Sequence, residues 1–182
     1  LSGEVIVNYT GSNTLGAVID NPISLRAITK FTVNNSTLLL NGVVSSSSTA
    51  NSLYKEGVGT LKLSNSNTYT SPTFIKEGKL EIVSADRIAV SNITMQGGTF
   101  STGATTGNNE TVGLLLLQGD GANSTIALGT GSHTLTFADT HLSSWIANAT
   151  LTIKGWTGTA GVTGTAGKIF VGTSATGLTD AQ

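Results

Sequence analysis

A repeat near the middle of the chain restricts the fold more than any other feature. Tyr54-Lys55-Glu56-Gly57, followed by Gly59-Thr60-Leu61-Lys62-Leu63, returns as Ile75-Lys76-Glu77-Gly78 followed by Lys79-Leu80-Glu81-Ile82. A weaker third copy is Gln96-Gly97-Gly98-Thr99-Phe100, and Leu38-x-Leu40 upstream and Ile126-x-Leu128 downstream continue the pattern at less regular intervals. Each unit turns at glycine and lays down a short strand with alternating apolar residues. None is large enough to bury its own apolar face, so the units must cover one another by stacking. The expected fold is all-β, a right-handed parallel β-helix (solenoid) with short rungs and an irregular C-terminal capping part. Residues 1–182 are read as a single solenoid segment of a longer chain, clearest over 54–101 and less regular over 124–182.

Strands are expected where apolar residues alternate with Thr, Ser or Lys between Gly, Asn and Ser. They are Glu4 to Tyr9, Ala27 to Val33, Thr37 to Val44, Gly59 to Leu63, Thr73 to Ile75, Lys79 to Val83, Ile93 to Met95 and Thr99 to Ser101. Further strands are Thr111 to Gln118, Ser124 to Leu128, His133 to Phe137, Thr150 to Lys154 and Lys168 to Gly172. Ser84 to Val90 and Ala138 to Ile146 could each hold one helical turn, but neither sustains a 3.6-residue period.

Composition agrees with turns and strands. Gly, Ser, Thr and Asn number 23, 20, 30 and 14, close to half of the 182 residues. Such polar bias also suits disordered chains, but those are usually highly charged, whereas here 10% of residues are charged and 38% are hydrophobic. The nine Lys and Arg are scattered and the net charge is −1, which argues against nucleic acid as a partner. The longest wholly apolar run is Leu114 to Leu117, too short for this segment to insert in a membrane. With no Cys there is neither a disulfide nor a thiolate metal site.

The stretch Gly57-Val58-Gly59-Thr60-Leu61-Lys62-Leu63, then Asn67-Thr68-Tyr69-Thr70 and Ile75-Lys76-Glu77-Gly78-Lys79-Leu80, resembles the autotransporter-associated β-strand repeat. That family's pattern is Lys-x-Gly-x-Gly-Thr-Leu-x-Leu, then Asn-Thr-Tyr-Thr and a strand ending in Gly-x-Leu. Ser71-Pro72 departs from the family's Gly-Gly at one corner. Residues 124–137 and 149–182, with His133 to Asp139, Leu151-Thr152-Ile153, Trp156 to Thr159 and Ile169 to Gly172, look like the closing region of large secreted proteins of the Bacteroidetes type. The resemblance implies a non-enzymatic structural or adhesive segment of a secreted bacterial cell-surface protein. It would act as a stalk or surface-binding repeat, with surface glycans or other copies stacking end to end as partners. The alternative is a β-helical polysaccharide lyase or hydrolase, or a glycan-binding module.

Residues that could carry chemistry reduce to ordinary roles. A glycan-cleaving site needs clustered carboxylates, and the ten acids are dispersed. Glu56 and Glu77, at matching repeat positions beside Lys55 and Lys76, are expected to form a solvated Lys/Glu ladder. His133 and His141, with Asp139 between them, lack a third metal ligand and a Ser–Asp context, and His133 is expected to face outward. Asp120 sits in Gln118-Gly119-Asp120-Gly121-Ala122-Asn123, which has the Asp-Gly-x-Asn content of a Ca²⁺ loop without its closing acid, so a tight turn accounts for it. Gly155 to Gly167 carries no phosphate-cradle fingerprint. Trp145 and Trp156 could stack on sugars, or pack as core or end caps. The paired threonines Thr134-x-Thr136, Thr150-x-Thr152 and Thr157-x-Thr159 raise the further idea of an ordered-water face, although their intervals are uneven. No catalytic residue, cofactor or metal is expected.

Overall fold

A computed structural model describes residues 1–8, 16–119, 123–159, 162, 164–174 and 176–178. Among them there are eighteen strands and no helix. In chain order the strands are β1 Gly3–Val7, β2 Ala17–Ile19, β3 Ile23–Leu25, β4 Thr29–Val33, β5 Thr37–Leu40, β6 Val44–Ser46, β7 Leu53–Glu56, β8 Thr60–Leu63 and β9 Thr73–Ile75. They continue as β10 Lys79–Ile82, β11 Ile93–Met95, β12 Thr99–Ser101, β13 Glu110–Thr111, β14 Leu115–Leu117, β15 Asn123–Ala127, β16 His133–Phe137, β17 Thr150–Lys154 and β18 Gly167–Val171.

Every pairing is parallel, and no strand pairs with its neighbour in sequence. The first sheet runs β1-β4-β7-β9-β11-β14 and the second β2-β5-β8-β10-β12-β15-β17. A third side carries β3-β6 near one end and β13-β16-β18 near the other. The chain thus winds through three sides per turn, for about six turns, and is a β-solenoid.

Register aligns like with like. In the second sheet Ala17, Leu38, Leu61, Leu80, Phe100, Ile126 and Ile153 form one inward column. In the first sheet Thr29, Leu53, Thr73, Ile93 and Leu115 form another, beside Val5, Phe31, Lys55, Ile75, Met95 and Leu117. Because side chains alternate between faces along a strand, the alternation of the sequence sorts apolar residues inward at every rung. Stacking then makes one continuous core.

Between β6 and β13 the third side is completed by side chains. Val44 N–H donates to Asn67 Oδ1 at 2.7 Å, and Asn67 Nδ2 donates to the Arg87 carbonyl at 2.7 Å. One turn on, Arg87 and Ile88 N–H donate to the two carboxylate oxygens of Glu110 at 2.8 and 3.0 Å. These buried polar groups take over the ladder bonds that strands supply elsewhere, which buried backbone N–H and C=O groups require.

Most expected strands are present, including Thr73–Ile75, Ile93–Met95, Thr99–Ser101, His133–Phe137 and Thr150–Lys154 with the same bounds. Two long strands are corrected. Thr37 to Val44 divides into β5 and β6 across a bend at Asn41–Val43, and Thr111 to Gln118 divides into β13 and β14, because each run crosses a corner. Strands β2, β3 and β7 were not expected. Neither Ser84 to Val90 nor Ala138 to Ile146 holds a helical turn; both are corners of turns and bends. Tyr9 lies outside the described residues.

Candidate functional site

With the core settled, function has to come from the outward faces, the corners and the ends. On the first sheet the outward column is Glu4, Lys30, Tyr54, Phe74, Thr94 and Leu116. Tyr54 and Phe74 stack with ring centroids 4.3 Å apart and planes 10° from parallel. Their faces are turned toward each other, so the pair presents ring edges to solvent. Lys76 Nζ stands 5.7 Å from the Tyr54 ring and 3.1 Å from Glu56 Oε1, which Lys30 also approaches at 3.7 Å.

The expected ladder of Glu56 with Glu77 beside Lys55 and Lys76 is corrected by this register. Tyr54 pairs with Phe74 and Lys55 with Ile75, so Glu56 lies beside Lys76 and not beside Glu77. The corner between Lys55 and Thr60 holds four residues, whereas that between Ile75 and Lys79 holds three. Matching the two Lys-Glu-Gly triplets therefore slips the strands by one residue, which exchanges inside for outside. Lys55 is fully buried, and its ammonium donates to the carbonyls of Glu56, Gly57 and Glu77 at 2.7, 2.5 and 3.1 Å. Burial pulls its pKa down to about 8, against the raising effect of Glu77 and Glu56. Lys76 stays exposed.

The second sheet presents a different surface. One outward column is Thr37, Thr60, Lys79, Thr99, Thr125 and Thr152. Of the paired threonines in the sequence only Thr150-x-Thr152 belongs to this sheet; Thr134 and Thr136 lie on β16 of the third side. The neighbouring column includes Lys62, Glu81 and Ser101. Here an outward-facing acid is buried: the Glu81 side chain is 3% exposed, held by Lys62 at 3.0 Å and Lys79 at 3.6 Å. The segment after β12 arches over it, leaving a cleft of about 240 Å³ between the sheet and Gly103, Thr105, Thr106 and Asn108.

On the third side, burial pushes the Glu110 carboxyl up to about 7 despite the two backbone N–H groups that it accepts. The two histidines stand apart in role. His133 is 3% exposed and faces inward, correcting the outward expectation. Its Nδ1 lies 2.9 Å from the Gly131 carbonyl, which can only accept, so the proton sits on Nδ1 and Nε2 accepts from Thr102 Oγ1 at 3.0 Å. The ring occupies a slot between Gly107 and Gly167, where any Cβ would overlap it. His141 is exposed and bonds Asp139 Oδ1 at 2.6 Å; this contact and the His141 backbone N–H hold the Asp139 pKa below the usual range, the backbone bond contributing most. Among the described residues no group of three His, Asp or Glu could hold a metal.

The end of the solenoid beyond β14 contains an apolar cavity of about 510 Å³ lined by Leu117, Ile126, Trp145, Leu151, Ile169 and Val171. Trp145 is half-buried there, its Nε1 donating to the Leu115 carbonyl at 3.0 Å, so it acts as an end plug. Trp156 is 42% exposed beside Gly158 and Gly164. Asp120 and residues 160, 161 and 163 of the Gly155 to Gly167 segment lie outside the described residues.

Sequence reasoning missed Glu81, Glu110 and Asn67. Lys79-Leu80-Glu81-Ile82 reads only as part of a strand, and what buries Glu81 arrives more than twenty residues later. Asn67 was visible only as part of the Asn-Thr-Tyr-Thr resemblance.

No curated protein and no solved structure matches this chain. One family model does, over residues 53–82, a stretch that begins with β7 and ends with β10 and so spans the aromatic pair, the buried Lys55 and the acid of the cleft. Residues 53–82 match the model of the passenger-associated-transport-repeat, the repeat found in autotransporter passenger domains.

Proposed function

We propose that this chain is a non-enzymatic, adhesive stalk segment of a protein displayed at a bacterial cell surface, and that its outward faces bind surface glycans. The observation that carries this reading is the in-register outward columns. Parallel stacking places hydroxyl and charged side chains in rows along the solenoid, with successive side chains of a row about 4.8 Å apart from strand to strand, and the passenger repeat lies in their middle. Such rows suit repetitive polymers better than a single small substrate. The test is retention of beads coated with the chain on films of neutral and acidic polysaccharides, with reducing ends and unsaturated products assayed in parallel. Retention without new products is expected. Product formation, or no retention on any film, overturns the proposal.

A second partner class, other copies of the chain, is favoured by the apolar end beyond β14. Ile153 and Leu178 are each more than 40% exposed there, while Val5, Val7, Ala17 and Ile19 at the opposite end are only partly buried. Head-to-tail contact between unlike ends gives open filaments and not closed dimers. Sedimentation across a wide concentration range should show a continuous ladder of sizes; a single monomeric species throughout counts against it.

A further inference from the structure

We infer that the cleft over Glu81 is a binding site for one neutral sugar unit bearing adjacent hydroxyl groups, a reading that rests on the glycan-binding role above and gives it an address. The site is built and not incidental. Its roof is held at both ends: Asn108 donates to the Thr102 carbonyl from its backbone N–H at 2.9 Å and from Nδ2 at 2.8 Å. Thr130 donates to the Thr105 carbonyl from its backbone N–H at 2.6 Å and from Oγ1 at 2.9 Å, and Gly107 N–H donates to the Thr130 carbonyl at 2.8 Å. The arch starts at Gly103, with φ of 155°, where a Cβ would overlap the Thr106 carbonyl. A roof so tied is present before any ligand arrives, and a preformed site avoids the ordering cost that weakens binding.

The floor offers unspent hydrogen-bonding capacity. The Glu81 carboxylate has about four lone-pair positions and, among the described residues, pairs with the Lys62 and Lys79 ammonium groups, which remain 31% and 40% exposed. Among the described residues no backbone N–H donates to either oxygen. Each ammonium has three donors, and Glu81 uses one direction of each. A buried ion group is costly unless further hydrogen bonds satisfy it, and a pair of vicinal hydroxyls does so: one donates to Glu81 and accepts from Lys62, the next reaches Lys79. Two lysines set against one carboxylate leave acceptors and donors side by side, which suits the hydroxyls of a polyol, each of which both donates and accepts. A volume of about 240 Å³ is below the usual range for drug-sized ligands, about 300 Å³ and upward, and suits a single ring. Asn108 and Thr106 stand at the wall.

The test is titration of the isotopically labelled chain with methyl glucoside and methyl galactoside, with galacturonate and inorganic phosphate as anionic probes, followed by amide chemical shifts. Saturable shifts confined to residues 62, 79, 81 and 103–108, produced by at least one neutral glycoside, are expected. Glu81→Gln should weaken them at least tenfold. Thr105→Trp, which blocks the mouth and leaves the ion group intact, should do the same without lowering the melting temperature. Shifts from the anions alone, shifts that survive in both variants, or no saturable shift overturn the inference. If neither neutral glycoside gives saturable shifts and beads coated with the chain still adhere to polysaccharide films, the cleft fails and the adhesive role stands. Loss of cleft binding together with all adhesion places the role in the cleft.

Discussion

The carboxylate of Glu110 accepts the backbone N–H of Ile88 at 3.0 Å, one turn away, and so stands where a strand's carbonyl would stand in a complete third sheet. A group with such a task should answer to pH. Burial raises its pKa from an ordinary 4.5 to about 7 in the folded chain. Between these values the folded state holds more protons at Glu110 than the unfolded state, so the stability this group contributes is fully present below pH 4.5 and is lost as pH rises through 7. The loss is on the order of 1–3 kcal/mol, since a tenfold difference in proton affinity between the two states is worth about 1.4 kcal/mol. Urea unfolding at pH 5 and pH 8 measures it, and Glu110→Gln should flatten the difference.

Lys55 should act with the opposite slope at alkaline pH. Its folded pKa, about 8, lies below the ordinary 10.5, so the unfolded chain binds the proton more tightly in that window and stability rises as pH climbs from 8 towards 10. Lys55→Met removes the slope. It matches the column, where Met95 already sits two rungs on, but orphans the carbonyls that the ammonium satisfies. The variant should be less stable at pH 7 by about 1–3 kcal/mol, the cost of leaving buried acceptors unpaired.

The Tyr54–Phe74 stack should show coupling beyond burial. A double-mutant cycle with Tyr54→Ala and Phe74→Ala is expected to give about 0.5–1.5 kcal/mol, the usual worth of an aromatic pair in contact. Additive single effects would mean that the rings merely share a face.

Two glycines separate crowding from backbone strain. Gly131 has φ of 80° and open space at its Cβ position, so Gly131→Ala should cost about 1–2 kcal/mol from the left-handed conformation alone. Gly107→Ala forces the His133 ring out of its slot and breaks its bond to Thr102. Overpacking of this kind costs about 1–3 kcal/mol, and the lost buried hydrogen bond adds to it. Thermal unfolding should place Gly107→Ala clearly below Gly131→Ala, with a changed His133 ring signal in the former only.

Much of the solenoid was legible in the chain itself. Short runs such as Thr73–Ile75 and Thr99–Ser101 alternate inward and outward residues between glycines and polar corners, and an element of that size has no stable state except stacked upon its like. What tertiary structure alone decided is register. The Lys-Glu-Gly triplets at 55–57 and 76–78 look equivalent, yet one extra corner residue sends Lys55 into the core and leaves Lys76 in water, because strand faces alternate at every residue. The burial of Glu81 and of His133 was likewise decided at a distance, by an arch that begins at Gly103 and by the slot that Gly107 and Gly167 leave for the imidazole ring. Local alternation determines that a strand forms and which residues share a face. Corner length determines which face that is, and only the stacked turns bring together the groups that fill it.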